Sequence, residues 1–126
     1  LFGRIGGTPV LGLPGNPVSA LVCATLFLRP AIAAMLGRPQ SAEGRETALL
    51  GADLAANDRR QDYLRARLSF DSDGRRRAEP FARQDSSMLA TLAHADCLIV
   101  RAPLAAPAKA GDVVEIIPFA GGVLSP

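Results

Sequence analysis

Two prolines three positions apart, Pro14 and Pro17, bracket the short loop that most constrains how this chain can fold. Their rings fix φ, and Gly15 between them can take a conformation closed to other residues. Asn16 is a favoured N-cap and Pro17 a favoured first helical residue, so a helix is predicted to begin here. The apolar run Val10–Leu13 predicts the end of a strand just upstream. An ordinary strand-to-helix turn is one interpretation. The other is an anion site, because free N–H groups and the helix dipole point into such a loop.

Composition indicates a globular chain and argues against nucleic acid as a partner. Of the 126 residues, 48% are hydrophobic and 21% are charged, which is not the balance of a disordered segment. The formal net charge of +2 is too small to indicate a polyanion as partner. Aromatic residues make up only 5% of the chain and are not interleaved with the basic residues, so a base-stacking platform is not expected.

The apolar run at positions 18–36 predicts a buried helix rather than a membrane span. Arg29 and Pro30 interrupt the run, which leaves no clean stretch of the roughly 20 residues that a span requires. Pro30 removes a backbone hydrogen bond, so a kink or a break is expected there. Gly37 is a suitable residue to follow the end of the helix.

The cysteines and the histidine predict no metal site and no disulfide framework. Cys23 and Cys97 both lie in apolar runs and are expected to be buried thiols, which fits a reducing cytoplasm. His94 is the one histidine of the sequence, so a multi-histidine metal site is excluded, and a structural or solvent-facing role is expected for it. The sequence begins at Leu1, in the middle of a pattern and without an initiator Met, so we expect it to be a piece of a longer protein.

A change of periodicity marks a predicted domain boundary. The polar segment Gly37–Gly44 has no periodicity and contains proline and glycine, as linkers do. Beyond it, Asp62–Phe70 alternates with period two. One face of that strand, predicted to line a core, carries Leu64, Ala66, Leu68 and Phe70.

The remaining pattern after the boundary is mostly β. Asp71–Gly74 predicts a tight turn and Arg75–Phe81 the returning strand of a hairpin. Further strands are predicted at Glu46–Leu54, Cys97–Arg101 and Val113–Pro118, with a short helix that begins near Asp85–Ser87 and runs to Ala93. The prediction is a mixed fold: the end of an α/β domain (strand, loop, helix) followed by a small, mostly-β barrel or sandwich domain.

Two polar positions in the second region have alternative interpretations. Arg65 and Arg67 share the non-core face of their strand, where such a pair is either solvated or binds a phosphate or other oxyanion. Ser86 and Ser87 have no neighbouring base in sequence, so helix capping is favoured over a nucleophilic role.

Several segments, in order along almost the whole chain, resemble the molybdopterin molybdenumtransferase family (MoeA and the gephyrin E domain). The most specific of them is the proline loop with its flanks. The segments that carry the resemblance are Pro9–Ala20, Met35–Gly37, Asp62–Ala66, Gln84–Leu89, Ala95–Val100 and Ala110–Val114.

The resemblance implies a function, a domain division and a site. The family inserts molybdenum from molybdate into adenylylated molybdopterin and releases AMP, using Mg²⁺. The resemblance implies that residues 1–40 end the α/β catalytic domain and that residues 41–126 form the C-terminal β-barrel-like domain. The family is a cytoplasmic homodimer whose site is shared between subunits. Pro14, Gly15, Asn16 and Pro17 would then shape the substrate pocket, and Arg65 and Ser86 would enter it from the partner subunit.

Two differences from the family bear on this expectation. Asp85 places an acid where many members carry glycine, and the family's acidic metal-site residues would lie upstream of Leu1.

A non-catalytic scaffold of the gephyrin type is an alternative function. A nucleic-acid-binding barrel is a third, suggested only by the arginine content. The proline loop favours the enzyme, because neither alternative has an evident use for an anion pocket.

Overall fold

A hairpin and a helical run precede a small barrel in the computed structural model, which describes residues 1–38, 44–85 and 89–119. Strand β1 (Phe2–Ile5) pairs antiparallel with β2 (Thr8–Leu11). The turn between them needs glycine, since Gly6 has a φ of +58°. The second strand was predicted from the sequence and the first was not, although a Gly-Gly pair between apolar residues is a hairpin signal.

The helical run consists of α1 (Pro17–Cys23), a π-helical segment (Ala24–Leu28) and α2 (Arg29–Met35). The kink or break expected at Pro30 is replaced by a change of hydrogen-bond pattern. The wider π-helical turns come directly before the proline, and helical structure then continues to Met35. In this segment the pairing is with the carbonyl five residues back, as in the hydrogen bond from the N–H of Arg29 to the carbonyl of Ala24, so the helix passes the proline without depending on the i−4 bond that proline cannot make.

Burial of this helical run within the chain was predicted and is not found. Pro17–Met35 is the one described helix that is long and apolar enough, by length and composition alone, to cross a membrane, and core helices of soluble proteins pass the same test. Val18 is buried, whereas Phe27 and Met35 are exposed, and Cys23 is only half-buried. The reason is geometric: the hairpin and the short helix described next cover too little of its surface.

The second part of the chain is a closed five-stranded barrel with one short helix. Its elements are β3 (Glu46–Leu50), β4 (Asp62–Phe70), β5 (Arg76–Pro80), α3 (Leu89–Ala93), β6 (Cys97–Arg101) and β7 (Val113–Pro118). The strand order is β3-β5-β4-β6-β7, and β7 pairs with β3 to close the barrel. The β3–β5 pairing is parallel and the other pairings are antiparallel. Of the predicted mostly-β barrel or sandwich, the barrel is therefore confirmed.

Small side chains let five strands enclose one core. Ala48, Ala66 and Ala78 are buried with larger residues such as Leu50 and Ile116. A five-stranded barrel has a narrow interior, so alanine at several inward positions leaves room for the branched side chains.

Gly51 allows the parallel seam between β3 and β5 to close. Its N–H donates to the carbonyl of Ala78 at 2.7 Å, and a Cβ at this position would lie 2.9 Å from the Cα of Glu79. That distance is shorter than real Cβ contacts, so another residue here would force the backbones apart. Nothing in the sequence pattern singled out this glycine.

The predicted faces of β4 are correct except at the strand's end. Ala66 is fully buried, and Leu64 and Leu68 pack against the core. Phe70 was expected there too, but it is 72% exposed because it sits beside the turn, beyond the inner part of the barrel. The β4–β5 hairpin and the strands Cys97–Arg101 and Val113–Pro118 are confirmed. Most of the predicted linker and the proposed capping serines lie outside the described residues.

Candidate functional site

Asn16 caps α1, as the sequence predicts, and its side chain accepts hydrogen bonds from the N–H groups of the first turn. Its Oδ1 accepts from the N–H of Val18 at 3.0 Å and of Ser19 at 3.1 Å. Ala20 donates to the carbonyl of Asn16, and Pro17 has no N–H. The expectation that free helix N–H groups point at an anion is therefore wrong for α1, since its first turn is internally satisfied.

The loop before the cap offers exposed backbone instead. Pro14, Gly15 and Pro17 are exposed, and among the described residues the N–H of Gly15 has no hydrogen-bond partner. Gly15 does not adopt a left-handed conformation, and a Cβ there would meet nothing within 4 Å. Neither backbone conformation nor packing within this chain requires glycine at this position.

Arg65 is buried, contrary to the interpretation of its strand face as solvated. The residue is only 3% exposed, whereas Arg67 two positions on is exposed and lies over the ring of Phe81 at 5.9 Å. The Arg65 side chain is covered by the segment that follows β5. Its Nη2 donates to the carbonyl of Asp85 at 3.0 Å, and its Nε lies 3.4 Å from Oε1 of Gln84.

One end of the buried guanidinium has no hydrogen-bond partner among the described residues. Nη1 of Arg65 is buried and makes no hydrogen bond within the described part of the chain. Burial lowers the pKa of this guanidinium from its ordinary value, and the nearby Asp85 carboxylate acts in the opposite direction. Arginine stays protonated even so, hence the site contains a desolvated positive charge with unused donor capacity.

A cleft of about 640 Å³ lies between α1 and β4, with Arg65 on its wall. The helix contributes Ser19 and Cys23, and the barrel side adds Tyr63 and Gln84. Pro14, Gly15, Asn16 and Pro17 do not line this cleft, although Val18, the residue directly after them, does. The structure thus brings Arg65 close to the beginning of α1 but not to the proline loop itself within one chain.

The other candidate residues fall in three classes. Ser86 and Ser87 lie outside the described residues. His94 is exposed, as expected. Gln84 was predicted only to belong to a family motif. Its contacts with Arg65 could not be predicted from sequence spacing, because a whole strand separates the two residues.

Comparison with known proteins identifies the family. The family model described as MoeA C-terminal region (domain IV) matches residues 47–119, which include the whole barrel from the second residue of β3 onward. The chain belongs to the MoeA family. The resemblance found in the sequence motifs is therefore confirmed.

Relatives within the MoeA family match nearly the whole chain but extend well beyond it. Molybdopterin molybdenumtransferase 1 of Mycobacterium tuberculosis is 34% identical over 121 residues, covering 91% of this chain and 28% of its own length. Molybdopterin molybdenumtransferase of Haemophilus influenzae is 29% identical over 119 residues, covering 94% and 30%. The crystal structure of a molybdopterin biosynthesis MoeA protein from Pyrococcus horikoshii superimposes with a TM-score of 0.77 at 29% identity, covering 95% and 28%. The chain thus spans about three-tenths of the length of these relatives.

The donor set does not fit the Mg²⁺ that the MoeA family implies. Within residues 1–38, 44–85 and 89–119, no group of three or more His, Cys, Asp or Glu side chains could hold a metal ion. Mg²⁺ takes carboxylate oxygens and water in octahedral geometry. No step is therefore assigned to a metal on these residues.

Proposed function

We propose that this chain is the C-terminal portion of an enzyme that transfers molybdenum from molybdate to adenylylated molybdopterin with release of AMP. The names of the MoeA relatives support molybdenum cofactor biosynthesis in general, and the motif order supports this reaction. In this proposal residues 1–40 end an α/β domain, residues 41–126 form the barrel domain, and the site is shared between the subunits of a cytoplasmic homodimer. The enzyme names give no support to a gephyrin-type scaffold.

The observation that carries the proposal is the orphaned Nη1 of Arg65. A buried charged group that lacks a partner costs free energy, so its retention calls for a ligand that supplies the missing acceptor. Molybdate, pyrophosphate and pterin-linked phosphate all present oxygens with negative charge, which an arginine binds by charge-assisted hydrogen bonds. Arg65 is therefore assigned to hold and orient the oxyanion.

The proline loop is proposed as the second half of the same pocket, supplied by the other subunit. Its exposed glycine has no role in this chain's own packing, which fits a backbone that a ligand approaches closely. The loop N–H of Gly15 is a donor suited to an oxyanion, and the prolines on either side hold it in place.

The decisive experiment compares two arginines on one strand in the full-length protein. Arg65→Met is expected to weaken molybdate binding about ten- to a hundredfold, the worth of a charge-assisted hydrogen bond. Arg67→Met removes an exposed guanidinium of the same size and should leave binding unchanged. Molybdate affinity by calorimetry and AMP release under saturating and limiting molybdate are the measurements. Equal effects of the two substitutions would refute the role given to Arg65.

A further inference from the structure

The Gln84 side chain continues a β-ladder where the strand itself has ended. Strand β5 ends at Pro80, which lies opposite Ala66, so β5 provides no residue opposite Arg65. Phe81, the next residue, keeps one bond of the ladder by donating its N–H to the carbonyl of Arg65. Gln84 supplies the other: its Oε1 accepts from the N–H of Arg65 at 2.9 Å, and its Nε2 also donates to the carbonyl of Arg65 at 3.0 Å. An amide side chain carries an acceptor oxygen and a donor nitrogen side by side, as a peptide group does, so it can replace strand backbone at this position.

The same amide also closes the segment that covers the arginine. Nε2 of Gln84 donates a second hydrogen bond to the carbonyl of Phe81 at 2.9 Å, while the N–H of Phe81 donates to the carbonyl of Arg65. The residue after Gln84, Asp85, accepts from Nη2 of Arg65 through its backbone carbonyl. Backbone and side chain of Arg65 are thus held by two consecutive residues of one turn.

We propose that Gln84 is a positioning residue for the anion-binding guanidinium, an inference that rests on the proposed function of Arg65. The contacts from Gln84 and Asp85 occupy Nε and Nη2, so that Nη1 is the one end of the guanidinium without a hydrogen bond among the described residues. Without the amide, the segment 81–85 loses its attachment to β4, and the guanidinium loses the orientation that presents Nη1. Gln84 touches no reacting atom in this account and acts through Arg65.

A double-mutant cycle on molybdate affinity in the full-length protein tests this inference. Gln84→Leu keeps the approximate volume, removes every polar contact and is expected to weaken binding about tenfold, as loss of an orienting partner does. Because Gln84 acts through Arg65, Gln84→Leu should add nothing further when Arg65→Met is already present. Gln84→Asn, one methylene shorter, should retain part of the contacts and give an intermediate loss, and it serves if the leucine variant does not fold.

Asp71→Ala is the matched control for a general loss of stability. The Asp71 carboxylate accepts from the N–H groups of Asp73 and Arg75 in the β4–β5 turn, at the far end of the strand from Arg65. This substitution should lower the unfolding midpoint and leave molybdate affinity unchanged.

Three results would overturn the inference, and they differ from one another. If Gln84→Leu loses no more affinity than Asp71→Ala, Gln84 is a structural residue only. Additive losses from Gln84→Leu and Arg65→Met would show that Gln84 does not act through the arginine. If Arg65→Met itself keeps full affinity, the proposed function of Arg65 fails and the inference about Gln84 fails with it.

Discussion

Arg65→Met should leave the folded chain about as stable as the wild type, although it removes a buried, hydrogen-bonded arginine. The contact of Nη2 with the Asp85 carbonyl stabilises the fold by about 1.5–3 kcal/mol, the range for a hydrogen bond from a charged group. The unpartnered, buried Nη1 costs about 1–3 kcal/mol in the opposite direction. The two contributions are similar in size, so the change in the free energy of unfolding should be about 1 kcal/mol or less.

Arg65→Ala separates the charge from the packing of the side chain. It removes the same polar groups and, in addition, two methylenes worth about 0.8 kcal/mol each, with a further cost for the cavity. The alanine variant should therefore be less stable than the methionine variant by about 2 kcal/mol, or on the order of 8 °C in Tm for a domain of this size. The packing cost arises because Arg65 is buried, although the strand pattern places it on the non-core face of β4.

Urea denaturation of the wild type and both variants, followed by far-UV circular dichroism, measures these differences. The m-values should agree, so that midpoints report stability alone. A loss of more than about 2 kcal/mol in Arg65→Met, equal to that of Arg65→Ala, would refute the reasoning, because it would mean that the guanidinium is fully satisfied without a ligand.

Three further predictions concern residues outside this cluster. Gly51→Ala should destabilise the fold by about 1–3 kcal/mol in thermal denaturation, while Gly15→Ala should leave stability unchanged within about 0.5 kcal/mol and weaken molybdate binding. Burial raises the pKa of the Cys97 thiol from 9.0 to about 12, so stability should fall as pH rises from 9 towards 12 in urea titrations, and Cys97→Ala should flatten that dependence. Asn16→Ala should cost about 1 kcal/mol of stability through the lost cap, whereas Asn16→Asp should keep the cap and weaken molybdate affinity through charge repulsion.

The β region could be predicted from sequence because Asp62–Phe70 alternates with period two and because turn residues lie between the strand segments. β4 has the expected inward residues except Phe70, and the turn Asp71–Gly74 joins the expected hairpin. Strand alternation also predicted the wrong environment for Arg65. The period-two pattern indicates which residues share a face of the strand, but it does not indicate whether a later segment of the chain folds over that face.

The helix and the proline loop show the same division between local and non-local information. Capping by Asn16 depends on the next three residues, and it was predicted correctly. Burial of the helix depends on whether other segments pack against it, and the periodicity of the helix's own sequence does not give that information. Gly51 could not be found either, since its role depends on a neighbouring strand more than twenty residues away.

Closure of the barrel by β3 and β7 has a consequence for the order in which the chain can fold. Glu46 of β3 lies opposite Ile116 of β7, so the first strand of the barrel to be synthesised pairs with the last. Until Val113–Pro118 has emerged from the ribosome, β3 and β6 each lack a neighbour, and the nascent chain exposes two unpaired edges. Pairings this distant in sequence form slowly. The β4–β5 hairpin, whose strands are joined by a five-residue connection, is therefore expected to form first, and β7 completes the fold in the final step.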